Sequence, residues 1–139
     1  PQEITMPILN VTVSGSRSDD LTQRIASTLL ELTKRVLGKK PEVTSIAIQY
    51  IDPRDWIIGG HSLAEQGKNS FYFDIKITDE TNTKIEKAEY IRQAFEAFNR
   101  LLPDLHEESY IHVEDVRAAA YGYGGQTQEF RFHHPSGDR

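Results

Sequence analysis

The residues best suited to chemistry in this chain are two prolines, an arginine, and a tyrosine and histidine two positions apart. In the chain as written, Pro1 carries a free secondary amine, which can accept a proton when neutral. The nitrogen of Pro7 is an amide with Met6 and has no lone pair to offer. Pro1 lies six residues upstream of Pro7, up to ~20 Å away if the segment is extended. The imidazole of His112 can donate a hydrogen bond to a substrate or assist a proton transfer; its plainer use is at an interface, satisfied by Glu114 or backbone. Tyr110 lies on the same strand face as His112. Arg17 places a cation at a helix start, where the helix dipole makes positive charge slightly unfavourable, a misfit that points to function. No cysteine is present, which excludes thiol catalysis, disulfides and thiolate metal sites. The histidines and carboxylates show no metal-ligand spacing, and no glycine-rich phosphate loop occurs.

These residues need elements to hold them. From Pro7, apolar Leu9, Val11 and Val13 alternate with polar Asn10, Thr12 and Ser14, which predicts a half-buried strand. Leu21, Ile25, Leu29, Leu32 and Val36 form one stripe of a helix from about Ser18 to Leu37, with acids in the first turn, bases in the last and Gly38 as C-cap. A second strand puts Ile46, Ile48 and Tyr50 on one face, and a turn then runs from Asp52 to Gly60.

The pattern then recurs. Phe71, Phe73, Ile75 and Ile77 alternate with polar residues, and a helix is expected from about Thr83 to Leu102 with Ala88, Ile91, Phe95, Phe98 and Leu102 on one stripe. Thr83 and Glu86 have capping-box spacing, and Pro103 ends the helix. A further strand presents Ile111 and Val113 on one face and Tyr110, His112 and Glu114 on the other. The pairs Gly59-Gly60 and Gly124-Gly125 lie 65 residues apart, which marks an internal duplication of a β-α-β unit. Tyr121 and Tyr123 repeat the places of Trp56 and Ile58 and suit a second, proline-less pocket. Glu129 to Phe132 can add a last strand.

The expectation is an α+β chain with a single domain over 1–139: a first β-α-β unit at 6–62, a second at 69–127 and a polar tail at 133–139. Two tandem units give a four-stranded sheet with both helices on one face. The other face would carry Asn10, Thr12, Gln49, Asp74, Lys76, His112 and Glu114, too polar for a core, whereas parallel strands are seldom left open to water. Three sheets closed around an axis with these faces inward resolve the conflict, so a homotrimer is expected. Net charge is −5, which argues against nucleic-acid or anionic-membrane partners. No apolar run approaches the ~20 residues that span a bilayer. The start lacks the charged and apolar regions of a signal peptide, so a cytoplasmic location is expected.

Met6-Pro7-Ile8-Leu9-Asn10-Val11, followed by Ser16-Arg17-Ser18-Asp19, resembles the 4-oxalocrotonate tautomerases, as does Thr44-Ser45-Ile46-Ala47-Ile48 with the later Trp56 and Gly59-Gly60. The doubled length, and Gly38-Lys39-Lys40-Pro41 before Ile46-Ala47, are similar to the macrophage migration inhibitory factor branch of the same tautomerase superfamily. The resemblance implies a trimeric fold and a cofactor-independent tautomerase or isomerase acting on a small enol or α-keto acid. Its base would be an N-terminal proline whose nitrogen, buried in an apolar pocket, has a pKa below the ~7.7–8.0 of an ordinary α-amino group.

Residue by residue, the resemblance puts Pro7 at the family's catalytic position, Arg17 on the substrate carboxylate, Trp56 as an aromatic wall and Lys39 as a pocket lysine. It puts Tyr110 and His112 in the region that supplies hydrogen bonds to the proline pocket. Trp56 also suits a subunit contact, and Lys39 a helix C-terminus. Ala47 stands where the short enzymes carry a second arginine, and Asn82-Thr83 stand at the second-half place of Arg17, which counts against a dicarboxylate substrate. For the proline two arrangements remain. Either Met6 is the initiator and Pro7 becomes terminal, or the first six residues are retained and Pro1 folds back into the pocket or the chemistry is lost. A decarboxylase or hydratase of the same superfamily, and a non-catalytic trimer with a blocked pocket, are the alternative functions.

Overall fold

The computed structural model describes residues 7–134; Pro1 and the last five residues of the expected polar tail lie outside them. Strand β1 (Ile8–Ser14) buries Leu9, Val11 and Val13 and exposes Asn10, as strand alternation requires. Helix α1 (Asp19–Leu37) starts where the Ser18 hydroxyl accepts the Leu21 N–H at 3.1 Å. It ends at Gly38, whose left-handed φ of 72° lets its N–H return to the Lys34 carbonyl at 3.0 Å. A 3-10 turn at Pro41–Val43 leads into β2 (Ser45–Ile51), parallel to β1 with Leu9 beside Ile46. A second 3-10 turn (Pro53–Asp55), the hairpin β3 (Ile57–Ile58) with β4 (His61–Ser62), and one turn of helix α2 (Leu63–Gln66) complete the first unit.

The same order follows in β5 (Phe71–Thr78), α3 (Lys84–Leu101), β6 (Tyr110–Val116), the hairpin β7 (Gly122–Tyr123) with β8 (Gln126–Thr127), and α4 (Gln128–His133). The main sheet has the order β2-β1-β5-β6. Each unit contributes a parallel pair, and the two pairs join through antiparallel β1 and β5, with Ile8 opposite Lys76 and Val11 opposite Phe73. Both long helices cover the face built by Leu9, Val11, Val13, Phe71, Phe73, Ile75 and Ile77. The opposite face carries the expected polar set, and Lys76 there reaches Asp74 at 3.1 Å and Glu114 at 3.8 Å.

Two expectations are corrected. The buried stripe of α3 is Tyr90, Ala94, Ala97 and Phe98, while Ala88 and Ile91 face outward. Small Ala94 and Ala97 let α1 come close, and the Tyr90 hydroxyl meets that of Thr33 on α1 at 2.7 Å, fully buried. Burial holds this phenol protonated, above its ordinary pKa. The Phe98 ring stacks on Phe71 at 3.9 Å. The second correction is at Glu129–Phe132, which is helix α4 and not a strand. The Thr127 hydroxyl caps it by accepting the Phe130 N–H at 2.9 Å, and Phe130 stacks on His134 one turn later at 4.0 Å. His133 therefore ends a helix and does not begin a tail.

The duplication carries a one-residue slip. Ile46 and Ile111 occupy equivalent places 65 residues apart, yet Ile46 pairs with Leu9 and Ile111 with Phe73, which are 64 apart. The loop after β5 is one residue longer than the loop after β1 and absorbs the difference. The counterpart of Pro7 in the second unit is consequently Phe71, a fully buried core residue.

The α1–α3 contact predicts that Tyr90→Phe, which leaves the Thr33 hydroxyl buried without its partner, lowers stability by about 1–3 kcal/mol in urea denaturation. Ile91→Ala, at a position 39% exposed, should stay within about 0.5 kcal/mol.

Candidate functional site

Pro7 sits at the head of β1 with its ring buried, and its carbonyl accepts the Ser45 N–H at 3.1 Å. Beside it opens a cleft of about 450 Å³. One wall is the segment Glu42–Ser45 that leads into β2; the other is Tyr121–Tyr123 at the start of the second hairpin. The tyrosines thus belong to the Pro7 cleft and not to a proline-less one. Antiparallel pairing of β1 with β5 is the cause, because it lays the end of the second unit over the beginning of the first.

The hairpin wall is held closely. Gln128 N–H donates to the Tyr121 carbonyl at 2.7 Å. The Arg131 guanidinium lies 4.0 Å from the Tyr123 ring centroid and donates to the Tyr123 carbonyl at 3.1 Å. A Cβ on Gly122 would fall 1.9 Å from the Gln126 carbonyl oxygen, so no side chain fits there.

Lys39 stands at the same end of the sheet but is 3% exposed, and its ammonium donates to the Thr81 hydroxyl at 3.0 Å. Nearby, Glu86 reaches back to the Thr83 N–H at 2.9 Å in a capping box. That backbone bond, then one from Asn82, holds the Glu86 carboxyl below its usual range.

The other expected residues lie elsewhere in the chain. Arg17 follows β1 at the far end of the sheet, about 20 Å along the strand, and contacts Asp19 at 2.5 Å with both side chains in solvent. Trp56 and Tyr110 line a second cleft at that end, of about 690 Å³, together with Ile57, His61, His106 and Glu108. The Tyr110 phenol donates to Glu108 at 2.5 Å, and that bond raises its pKa above the ordinary tyrosine value. Under the internal symmetry this cleft is the copy of the Pro7 cleft, with Phe71 where Pro7 would be. His112 lies exposed on the polar sheet face opposite Asp74. The chain therefore brings Pro7 and Lys39 to one end of the sheet and Arg17, Trp56 and Tyr110 to the other, with His112 between.

Among the described residues no group of three or more histidines, cysteines or carboxylates is placed to hold a metal ion, and no helix is long and apolar enough to cross a membrane. What the described residues of the Pro7 cleft offer is a proline ring, two phenols, the Thr44 and Ser45 hydroxyls and one carboxylate. Glu42 gave no sequence signal as a cleft residue, whereas Tyr121 and Tyr123 are legible as pocket residues but not as part of the Pro7 cleft. The repeat of Trp56-Ile57-Ile58 as Tyr121-Gly122-Tyr123 marked a wall, but only the strand order shows which cleft it serves.

Residues 7–66 match the family model of the tautomerase enzymes. No curated protein matches the chain. Among solved structures, a native fused 4-OT aligns with a TM-score of 0.76 at 18% identity, covering 88% of this chain and 97% of its own. A fused 4-OT in a symmetric trimer gives 0.74 at 15% identity, with 88% and 96% covered. A macrophage migration inhibitory factor-like protein from Entamoeba histolytica gives 0.72 at 16% identity, with 88% and 98% covered.

The tight fit at Gly122 predicts that Gly122→Ala pushes the second hairpin off the Pro7 cleft. Stability should fall by about 1–3 kcal/mol in denaturant titration, with a changed near-UV tyrosine signal. An unaltered melt would show that the hairpin does not depend on this contact.

Proposed function

We propose that this chain, whose residues 7–66 match the tautomerase enzyme family model and whose fold is that of the fused 4-OT and macrophage migration inhibitory factor-like structures, is a cytoplasmic, cofactor-independent keto–enol tautomerase acting on a small enol or α-keto acid. The observation that carries this reading is the position of Pro7: a buried ring at the head of a central strand, opening directly on a cleft. With the preceding residues absent, its nitrogen becomes a secondary amine in surroundings poor in water. Burial disfavours the ammonium form, so the amine is neutral near physiological pH and can act as base. It takes a proton from one atom of the substrate and returns it to another; atoms and charge balance without any cofactor. Lys39 lies at the same end of the sheet, buried on Thr81 and outside the cleft lining.

Arg17, Trp56, Tyr110 and His112 reach such a site only from a neighbouring copy, and a homotrimer closed through the polar sheet face supplies one. There the cation of Arg17 holds the substrate carboxylate, Tyr110 and His112 donate to the enolate oxygen, and Trp56 walls the site. A fused 4-OT relative forms a symmetric trimer, which supports this arrangement. The second reading, a non-catalytic trimer, rests on the amide bond between Met6 and Pro7 in the chain as written.

Intact mass of the native protein and ketonisation of phenylenolpyruvate separate the two. A chain beginning at Pro7 should be active, and Pro7→Ala in it should lower kcat/KM by about 10²- to 10⁴-fold. The rate should rise with pH as the amine loses its proton, levelling above an apparent pKa below ~7.7–8.0. An inactive Pro7-initiated chain would leave the non-catalytic reading. Activity of the longer chain that disappears only with Pro1→Ala would move the base to Pro1.

A further inference from the structure

Among the described residues, Glu42 is the only charged side chain lining the Pro7 cleft. The turn that carries it is stiff. Pro41 fixes its first residue, Val43 and Thr44 N–H donate to the Lys40 and Pro41 carbonyls at 3.2 and 3.1 Å, and the Thr44 hydroxyl donates to the Lys40 carbonyl at 2.7 Å. The carboxylate is exposed, and among the described residues it has no hydrogen bond or ion pair. Among the described residues no cation lines the cleft: Lys39 is buried on Thr81, Arg131 lies on the Tyr123 ring and carbonyl, and the exposed Lys40 and Arg117 stand at this end outside the lining. A molecule reacting at Pro7 must lay its remaining length between Glu42 and Val43 on one side and Tyr121 and Tyr123 on the other.

We propose that Glu42 is a specificity-determining residue of this cleft, a fixed negative charge that admits substrates with an uncharged, apolar tail and turns away those whose tail carries a second carboxylate. The inference rests on Pro7 marking the reacting end of the substrate. Ile8, Val43 and the two phenol rings give an apolar tail surface to cover. A second carboxylate would be brought near this anion with no cation among the described lining residues to offset it, and at separations of several ångströms near a surface that repulsion amounts to roughly threefold to thirtyfold in affinity.

The test compares phenylpyruvate with its ring 4-carboxylate, a monoanion and a dianion of one scaffold. Their dissociation constants on the intact protein are read by NMR titration of the tyrosine ring resonances, so that binding is scored independently of turnover. The wild type should favour the monoanion. Glu42→Gln should raise dianion affinity relative to monoanion by about threefold to thirtyfold, an effect that shrinks with added salt. Glu42→Asp, which keeps the charge, should restore the discrimination. An unchanged affinity ratio in Glu42→Gln, or failure of both ligands to perturb the tyrosines, overturns the proposal. Intact discrimination without turnover in a Pro7-initiated chain would instead sink the catalytic reading of Pro7 and leave the charge filter standing.

Discussion

The antiparallel ladder between β1 and β5 is the constraint on which the rest of this molecule depends. Neither β-α-β unit can bury its sheet face alone, and joining the two first strands side by side gives one continuous apolar surface for both helices. The geometry of that join has a second effect. Because the strands run in opposite directions, the closing hairpin of each unit lands at the opening end of the other. The Pro7 cleft is therefore built from both halves of the chain, although no strand of the second unit is adjacent to Pro7 in sequence.

Much of this was legible from local patterns. The alternation in β1 and β5, the Ser18 and Gly38 ends of α1, and the Thr83–Glu86 box of α3 all rest on interactions within a few residues, and they appear as expected. The α3 stripe was harder because size misled: Ile91 is larger than Ala94, but the helix is set by how closely α1 can approach and by the Tyr90–Thr33 bond, neither of which is local. At Glu129–Phe132 a period of two favoured a strand. The cap at Thr127 won, and Ser62, its counterpart 65 residues earlier that caps α2, was the available signal. The exchange of hairpins lay beyond local reading, since it follows from strand order.

Electrostatics divide the sheet as sharply as hydrophobicity does. One face is dry and aromatic, with Phe71, Phe73, Tyr90 and Phe98 in mutual contact. The other carries Asp74, Lys76 and Glu114 in a charge cluster that raises the Lys76 pKa, chiefly through its hydrogen bond to Asp74. Such a cluster leaves the helix-covered core undisturbed while giving the open face a pattern that only a complementary polar surface can match.

The replacement of Pro7 by Phe71 at the equivalent head position has a covalent logic. When two copies of a unit are joined in one polypeptide, the second copy's leading residue becomes an interior link, and no interior residue possesses an α-amine. Fusion silences one of two equivalent positions at the moment it occurs, whatever side chain stands there. Phe71 at that position is fully buried inside the core, and the one-residue slip between the halves makes it the first residue of β5 where Pro7 precedes β1. Its aromatic ring locks β5 against α3 by stacking on Phe98, so the second unit's head position serves as an anchor of the shared core.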